Sequence, residues 1–473
     1  MSRLIVVSNR VAKPSNTGGS QGGLAVGVLA ALSKEGGLWF GWNGKISNNE
    51  ESNVEIDRRG NIDYATVSLK KNEYNHYYKG FANSVLWPLF HQRPELMRYQ
   101  KADFLGYHSV NKKFAQHLLN FIQDDDTIWV HDYHLIPLAR QLRQLGVKCR
   151  IGFFLHTPFP PYDLLRAVPE YREILRELMH YDLVGFQTES DARGFRESMR
   201  LSLEASVVND VVHCGSETTL VKVYPIGIET DSTPNLVAKG KESKDYQRLA
   251  HSLGGRKLII GVDRLDYSKG IEHRFIAYEK LLQQRADLLR QMVYLQVAPT
   301  SRGDVQAYDD FASRIDRTAG HIIGTYADFD WMPLRYLNRG FRRNTILAMY
   351  QLAQVGFVTP LRDGMNLVAK EYVAAQNPED PGVLVLSKMA GAAAELDAAV
   401  LVNPYDTEAV AKDLARALEM SLDERRDRWQ KMMKVLHKND IYTWQENFLN
   451  DLSKPRVPSN QLQNFEVATL SVS

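Results

Sequence analysis

The chain has 473 residues, with 58 lysines and arginines against 56 aspartates and glutamates, a formal net charge of +2. So even a balance excludes a general attraction to nucleic acid or to a membrane surface and leaves any anion binding to local clusters. An apolar fraction of 44% and a charged fraction of 24% exclude disordered, collagen-like and coiled-coil classes, and the length predicts two to three domains.

The N-terminus, MSRLIVVSNR, reads as a first β-strand (4–8) rather than a signal peptide, and no apolar run is long enough to span a membrane. Further strands are predicted at 127–131, 150–156, 182–188, 257–262, 292–298, 354–359 and 382–387. Most are apolar on both faces, as strands of a helix-covered parallel sheet must be. Helical patterns follow at 135–145, 271–284, 305–319 and 367–375, and the alternation predicts doubly wound α/β architecture. A polar stretch near 230–256 divides two series of strands, so two Rossmann-like domains facing a cleft are expected, 1–235 and 236–452, with 453–473 as a surface tail. Cys149 and Cys214 are the only cysteines, which excludes a disulfide framework and a four-cysteine zinc site and fits a reducing cytoplasm.

In open parallel sheets ligands bind beyond the carboxyl ends of the strands. Six predicted strand ends carry polar groups: Asn9-Arg10, Asp132, His156, Asp263-Arg264, Thr300-Ser301-Arg302 and Arg362-Asp363. One such group is a cap or a surface charge; six suggest a convergent site. In VDRLDYSKG (262–270) a strand runs into Arg264, then Lys269-Gly270 and a helix, an arrangement in which a forked guanidinium and a point-charge ammonium both reach a diphosphate. A loop ion pair with Asp263 or Asp266 is the plainer alternative. In PLRDGMNLVAKEYVAA (360–375), Asn366 caps a helix whose first amides, at Leu367 and Val368, form an anion site. Glu371 lies one turn along, placed to accept ribose hydroxyls, and Asp363-Gly364 precedes the cap. The glycine-rich GGSQGGLAVG (18–27) matches neither the dinucleotide fingerprint nor a Walker loop and suits a mobile phosphate-approaching loop. Asp124-Asp125-Asp126 is expected to be a solvated turn, Asp328-Phe329-Asp330 is given no metal role, and His131-Asp132-Tyr133-His134 lacks a second ligand cluster, so no metal is expected. Trp39 and Trp42 read as core, whereas Trp87, before Pro88, is placed to line a pocket.

Taken together, SNRVA (8–12), GGLAVG (22–27), GLWFGWNG (37–44), HDYHL (131–135), FFLHTPFP (153–160), VDRLDYSKG, APTSRGDVQAY (298–308) and LRDGMNLVAKEYVAA (361–375) resemble the α,α-trehalose-phosphate synthases, retaining glycosyltransferases of the two-Rossmann GT-B type. The resemblance runs from residue 3 to about 452. It implies glucose transfer from UDP-glucose to glucose 6-phosphate without a cofactor, by a cytoplasmic enzyme for which a homo-oligomer is expected. It assigns the donor to Gly22, Gly23, Arg264, Lys269, Phe341, Asp363, Leu367, Val368, Ala369, Lys370 and Glu371, with His156 on the donor sugar. It assigns the acceptor to Arg10, Tyr78, Asp132 and Arg302, anomer selectivity to Trp87 and His156, and the catalytic roles to Arg264, Lys269, Asp132 and His156. Three alternatives stay open: a GT-B transferase acting on a glucan, a nicotinamide oxidoreductase, disfavoured by the missing glycine fingerprint, and a non-catalytic sugar-nucleotide sensor.

Overall fold

The computed structural model describes residues 3–11, 27–29, 31–32, 36–47, 53–300 and 306–455. The chain divides into two compact units, one running to Tyr224 and resuming at Trp444, the other spanning Pro225–Thr443.

The first unit holds a ten-stranded sheet: β1 (Leu4–Arg10), β2 (Gly37–Ile46), β3 (Glu55–Arg59), β4 (Ile62–Leu69), β5 (Thr127–His131), β6 (Arg150–Phe154), β7 (Leu183–Phe186), β8 (Ser206–Val208), β9 (Val211–Cys214) and β10 (Glu217–Val223). Its order is β3-β4-β2-β1-β5-β6-β7-β10-β9-β8. The central strands are parallel; β3 and β9 run antiparallel to their neighbours. Helices α1 (Lys101–Leu119) and α2 (Tyr171–Leu178) belong to this unit, and Tyr74–Leu86 is wound as a π-helix. Every residue of LIVVS in β1 is buried, as a strand covered on both faces requires.

The second unit holds β11 (Lys257–Val262), β12 (Met292–Val297), β13 (Leu334–Leu337), β14 (Val355–Val358), β15 (Val383–Ser387) and β16 (Val400–Val402), all parallel, in the order β13-β12-β11-β14-β15-β16. That is the 3-2-1-4-5-6 order of the Rossmann fold, which places the topological switch point between β11 and β14. Helices α3 (Ile271–Gln284) and α4 (Leu367–Ala375) span the predicted limits.

The domain limits differ from expectation at both ends. Strand β10 pairs in parallel with β7, so the first sheet continues to Val223 and the division falls at Tyr224 rather than 235. The stretch taken for a seam is two helices, Thr233–Lys241 with Pro234 in its first turn and Lys244–Leu253 capped by Ser243. Gly240 is pressed against Asn344, where a Cβ would stand 1.9 Å from the carbonyl oxygen. At the far end, helix α5 (Ile441–Ser453) sends Trp444, Phe448 and Leu452 onto the first sheet. The Phe448 ring stacks on Trp129 at 4.7 Å and lies over Gly152 and Gly185, where a Cβ would come within 2.7 and 2.8 Å of it. Asp126 also departs from expectation: it is buried and paired with Arg3 at 2.9 Å rather than solvated.

Candidate active site

In the first unit the candidate residues lie at and near the carboxyl ends of β1, β5 and β6. Strand β1 ends in Asn9, whose Oδ1 accepts from Tyr77 Oη at 2.8 Å, and in the exposed Arg10. That hydrogen bond ties the π-helix to the strand end. The Arg10 guanidinium stands 5.9 Å from the Trp42 ring, and Tyr78 packs on the same indole at 5.6 Å. Tyr78 also stacks on Tyr74 at 5.4 Å and on His134 at 5.8 Å. Arg10 and Tyr78 therefore flank one aromatic wall, a cation and a phenol facing a common neighbourhood. Gly44 lies beside the Arg10 guanidinium at φ 83°, in the left-handed region that favours glycine.

Strand β5 leads into Asp132, which adopts φ 76°, a strained conformation for a non-glycine residue. Its backbone N–H donates to the Phe154 carbonyl at 2.9 Å, and its Oδ1 accepts from the His156 N–H at 3.3 Å. His131 Nδ1 meets His156 Nε2 at 3.1 Å. Burial pushes the His156 imidazole down to about 3, and burial with the neighbouring ring pushes His131 down as well, so both are neutral at pH 7. Trp87 is buried, packed on His91 at 4.0 Å and Tyr133 at 5.7 Å.

In the second unit the candidate residues lie at the switch point. After β11 the chain passes through buried Asp263 and exposed Arg264 to a turn in which Asp266 accepts from Ser268 N–H and Oγ, each at 2.9 Å, and from Tyr308 Oη at 2.9 Å. Gly270 closes the turn at φ 68°, with room for a Cβ denied by the Thr359 carbonyl at 2.2 Å. Arg274 of α3, fully buried, pairs with Asp263 and donates to the carbonyls of Lys269 at 3.0 Å and Phe357 at 2.8 Å. One guanidinium thus anchors the loop carrying Lys269 to both switch-point strands.

Lys269 Nζ lies 2.5 Å from Asp363 Oδ2, which also accepts from Asn366 Nδ2 at 3.0 Å. Asn366, at φ 77°, caps α4 by accepting from the Ala369 N–H at 3.2 Å. Glu371 meets Arg343 Nε at 3.2 Å, and burial raises its carboxyl against the pull of that arginine.

The structure therefore joins Lys269, Asp363 and the α4 terminus, with half-buried Leu367 and Val368 in its first turn. Two residues assigned to the donor have partners within the protein. The Ala369 amide is taken by the Asn366 cap. The Lys370 side chain points to the Ile226 carbonyl at 2.7 Å and to Glu395 at 2.6 Å, fully buried there. Phe341 is half-buried under Arg339 at 4.8 Å. Gly22, Gly23 and Arg302 lie outside the described residues. Sequence reasoning missed Arg343 and Arg274, whose partners are far away in the chain or sit in a strand end, and it weighed His131 only as a metal ligand.

Among the described residues one trio lies close enough to share an ion, His108, Glu173 and Glu177. Arg140 Nη1 already stands there, 2.8 Å from Glu177 and 3.7 Å from Glu173. Burial pushes the Glu177 carboxyl up to about 7. No helix of the described residues is long and apolar enough to cross a membrane.

Residues 3–454 match the family model for glycosyltransferase family 20. The chain belongs to glycosyltransferase family 20. It is 49% identical over 472 residues to a trehalose-6-phosphate synthase of Enterobacter sp. (strain 638), covering 99% of each chain. Among solved structures, the Burkholderia xenovorans α,α-trehalose-phosphate synthase (UDP-forming) in complex with glucose-6-phosphate is 46% identical. It superposes with a TM-score of 0.93 over 96% of this chain and 100% of that one. The E. coli protein bound with UDP-2-fluoro glucose is 47% identical, with a TM-score of 0.91 over 97% of this chain and 100% of that one. The fold class expected, two Rossmann-like units from the strand pattern and the GT-B type from the resemblance, is the one these family members share, and the chain is a glycosyltransferase.

Proposed function

We propose that the protein transfers glucose from UDP-glucose to glucose 6-phosphate, giving α,α-trehalose 6-phosphate and UDP. The observation that carries this reading is the Lys269–Asp363–Asn366 cluster at the Rossmann switch point of a chain 49% identical, nearly end to end, to a trehalose-6-phosphate synthase. The second unit takes the donor. Lys269 and Arg264 meet its diphosphate, the first amides of α4 add their partial charge, and Glu371 takes the ribose, with Phe341 at the uracil and Gly22 and Gly23 near the phosphates. When the diphosphate draws Lys269 away, Asp363 is released to accept hydroxyls of the glucose. The first unit takes the acceptor through Arg10, Tyr78 and Asp132, with Arg302 as a second cation on its phosphate, and His156 and Trp87 shape the donor-sugar side.

Donor and product are both α-linked, so configuration is retained. The acceptor hydroxyl approaches C1 of glucose on the face the diphosphate leaves. The C1–O bond to UDP breaks as the new one forms, and the hydroxyl proton passes to the departing phosphate oxygen. Charge grows on that phosphate, where Arg264 and the Lys269 drawn from Asp363 offset it, the kind of charge stabilisation that lowers such barriers. Asp132 orients the acceptor. No step calls for a metal, and the enzyme is expected to work in the cytoplasm as a homo-oligomer, checked by sedimentation of the purified protein.

The test follows UDP release with glucose 6-phosphate, glucose and a glucan as acceptors, in wild type and Arg302→Ala. Wild type is expected to favour glucose 6-phosphate, and Arg302→Ala to lower kcat/KM for it by about tenfold or more relative to glucose, the loss of one charged hydrogen bond. A preference for glucose or the glucan, or an unchanged ratio in the variant, overturns the reading.

A further inference from the structure

His131 is fully buried at the end of β5, boxed by the rings of Trp129 at 4.6 Å, Trp444 at 6.3 Å and Phe154 at 6.5 Å. Its Nδ1 meets His156 Nε2, and its Nε2 is buried with no hydrogen-bond partner. A buried histidine in such a box is ordinarily core packing. What sets this one apart is its partner: among the described residues its one hydrogen bond goes to the imidazole of His156, which the reading above puts on the donor sugar.

We infer that His131 is a positioning residue that fixes which nitrogen of His156 carries the proton, so that His156 offers an Nδ1–H donor to the glucose of the sugar nucleotide. This rests on the reading above that His156 faces the donor sugar. Two neutral rings joined by one hydrogen bond have two arrangements. If His156 donates from Nε2, His131 must carry its own proton on Nε2, leaving a buried N–H without an acceptor. If His131 donates from Nδ1, only a lone pair of its Nε2 is left unused. Orphaned buried donors cost more than unused acceptor lone pairs, and an N–H aimed at the Trp129 face recovers only part of the difference. The second arrangement therefore holds, and it places the His156 proton on Nδ1. Among the described residues that nitrogen makes no hydrogen bond, and it is not among the buried unpartnered atoms, so it is open to a ligand. The His156 N–H to Asp132 Oδ1 fixes the backbone from which the ring projects.

The test uses full-length protein with 15N-labelled histidine, the two resonances being assigned with His131→Phe and His156→Ala. In wild type, His156 is expected to show a protonated Nδ1 and an unprotonated Nε2. In His131→Phe, which keeps a ring in the box, the proton is expected to move to Nε2. With UDP-glucose, His131→Phe is expected to lower kcat about three- to tenfold, the worth of one hydrogen bond, with KM for glucose 6-phosphate unchanged. His131→Asn, whose amide can donate from the same place, is expected to recover most of it. A wild-type His156 protonated on Nε2 overturns the inference. So does a folded His131→Phe with wild-type turnover, or a His131→Asn as slow as His131→Phe. If His131→Phe does not fold, the wild-type spectrum decides. Full activity in His156→Ala would instead remove His156 from the donor site, leaving the proton assignment standing.

Discussion

Replacing Arg274 by Met removes the group on which the switch point is hung. The guanidinium is buried against Asp263, itself 7% exposed, and donates to the carbonyls of Lys269 and Phe357. Methionine fills most of the volume and makes none of these bonds. Asp263 is then left as a buried carboxylate with only the more distant Lys269 to offset it, and the carbonyls of Phe357, buried, and Lys269, partly buried, lose a donor. Removing one partner of a buried ion pair costs about 3–5 kcal/mol, a large part of the roughly 5–15 kcal/mol that holds a domain folded. The two units need not unfold together. The assay is therefore hydrogen exchange by mass spectrometry in rising urea, read on peptides from β11 and β14. Arg274→Met is expected to lower their opening free energy by that amount, and Arg274→Met with Asp263→Leu to recover most of it, since no unpaired charge remains. A loss below about 1 kcal/mol in the single variant, or no recovery in the double, refutes the reasoning.

Lys269→Ala is expected to lower kcat by ~10²–10³, the usual effect of removing one preorganised charge-stabilising group; near-normal turnover in the folded variant removes it from the chemical step. Lys269→Ala and Asp363→Ala should be strongly non-additive, because the two side chains are 2.5 Å apart, and additive losses would separate their roles. Glu177 carries a raised pKa of about 7 in the folded protein against 4.5 unfolded, so the folded state holds the extra proton between those values. Stability therefore falls as pH rises from about 4.5 to 7. Glu177→Gln should gain on the order of 2–3 kcal/mol over wild type between pH 5 and pH 8, and equal urea midpoints at both pH values would contradict this. EDTA is expected to leave activity intact; loss on chelation, restored by one divalent ion, would reveal a metal requirement.

The doubly covered strands were legible because both faces are apolar: LIVVS, KLIIGV and MVYLQV each carry an unbroken signal. β3 and β8, at the sheet edges, are short and without a buried residue, β3 being largely exposed, so they offered none. Tyr74–Leu86 escaped because π winding does not follow the 3.6-residue period that amphipathic patterns are matched to. The seam was misread because Pro234 and nearby polar residues signal a loop when alone, yet Pro234 sits in a first helical turn, where proline is at home. In the site, Lys269, Asp363 and the Asn366 cap were readable because strand end, turn and cap are contiguous in sequence. Arg343 with Glu371 was not, since their meeting depends on neighbouring helices 28 residues apart. His131 was visible as a residue, but its use depends on the side-by-side register of β5 and β6, where it lies opposite Phe154.

The return of the chain at Trp444 has a consequence for synthesis. Everything the ribosome makes up to Thr443 leaves Trp129, Gly152 and Gly185 without the rings of Trp444 and Phe448 that cover them in the finished protein. The first unit begun is thus among the last completed. During translation its sheet presents an apolar surface for the whole time the second unit is being made, a window in which holding chaperones or premature association compete for it. A release of the nascent chain just past Thr443 would yield an intact second unit beside an unfinished first one.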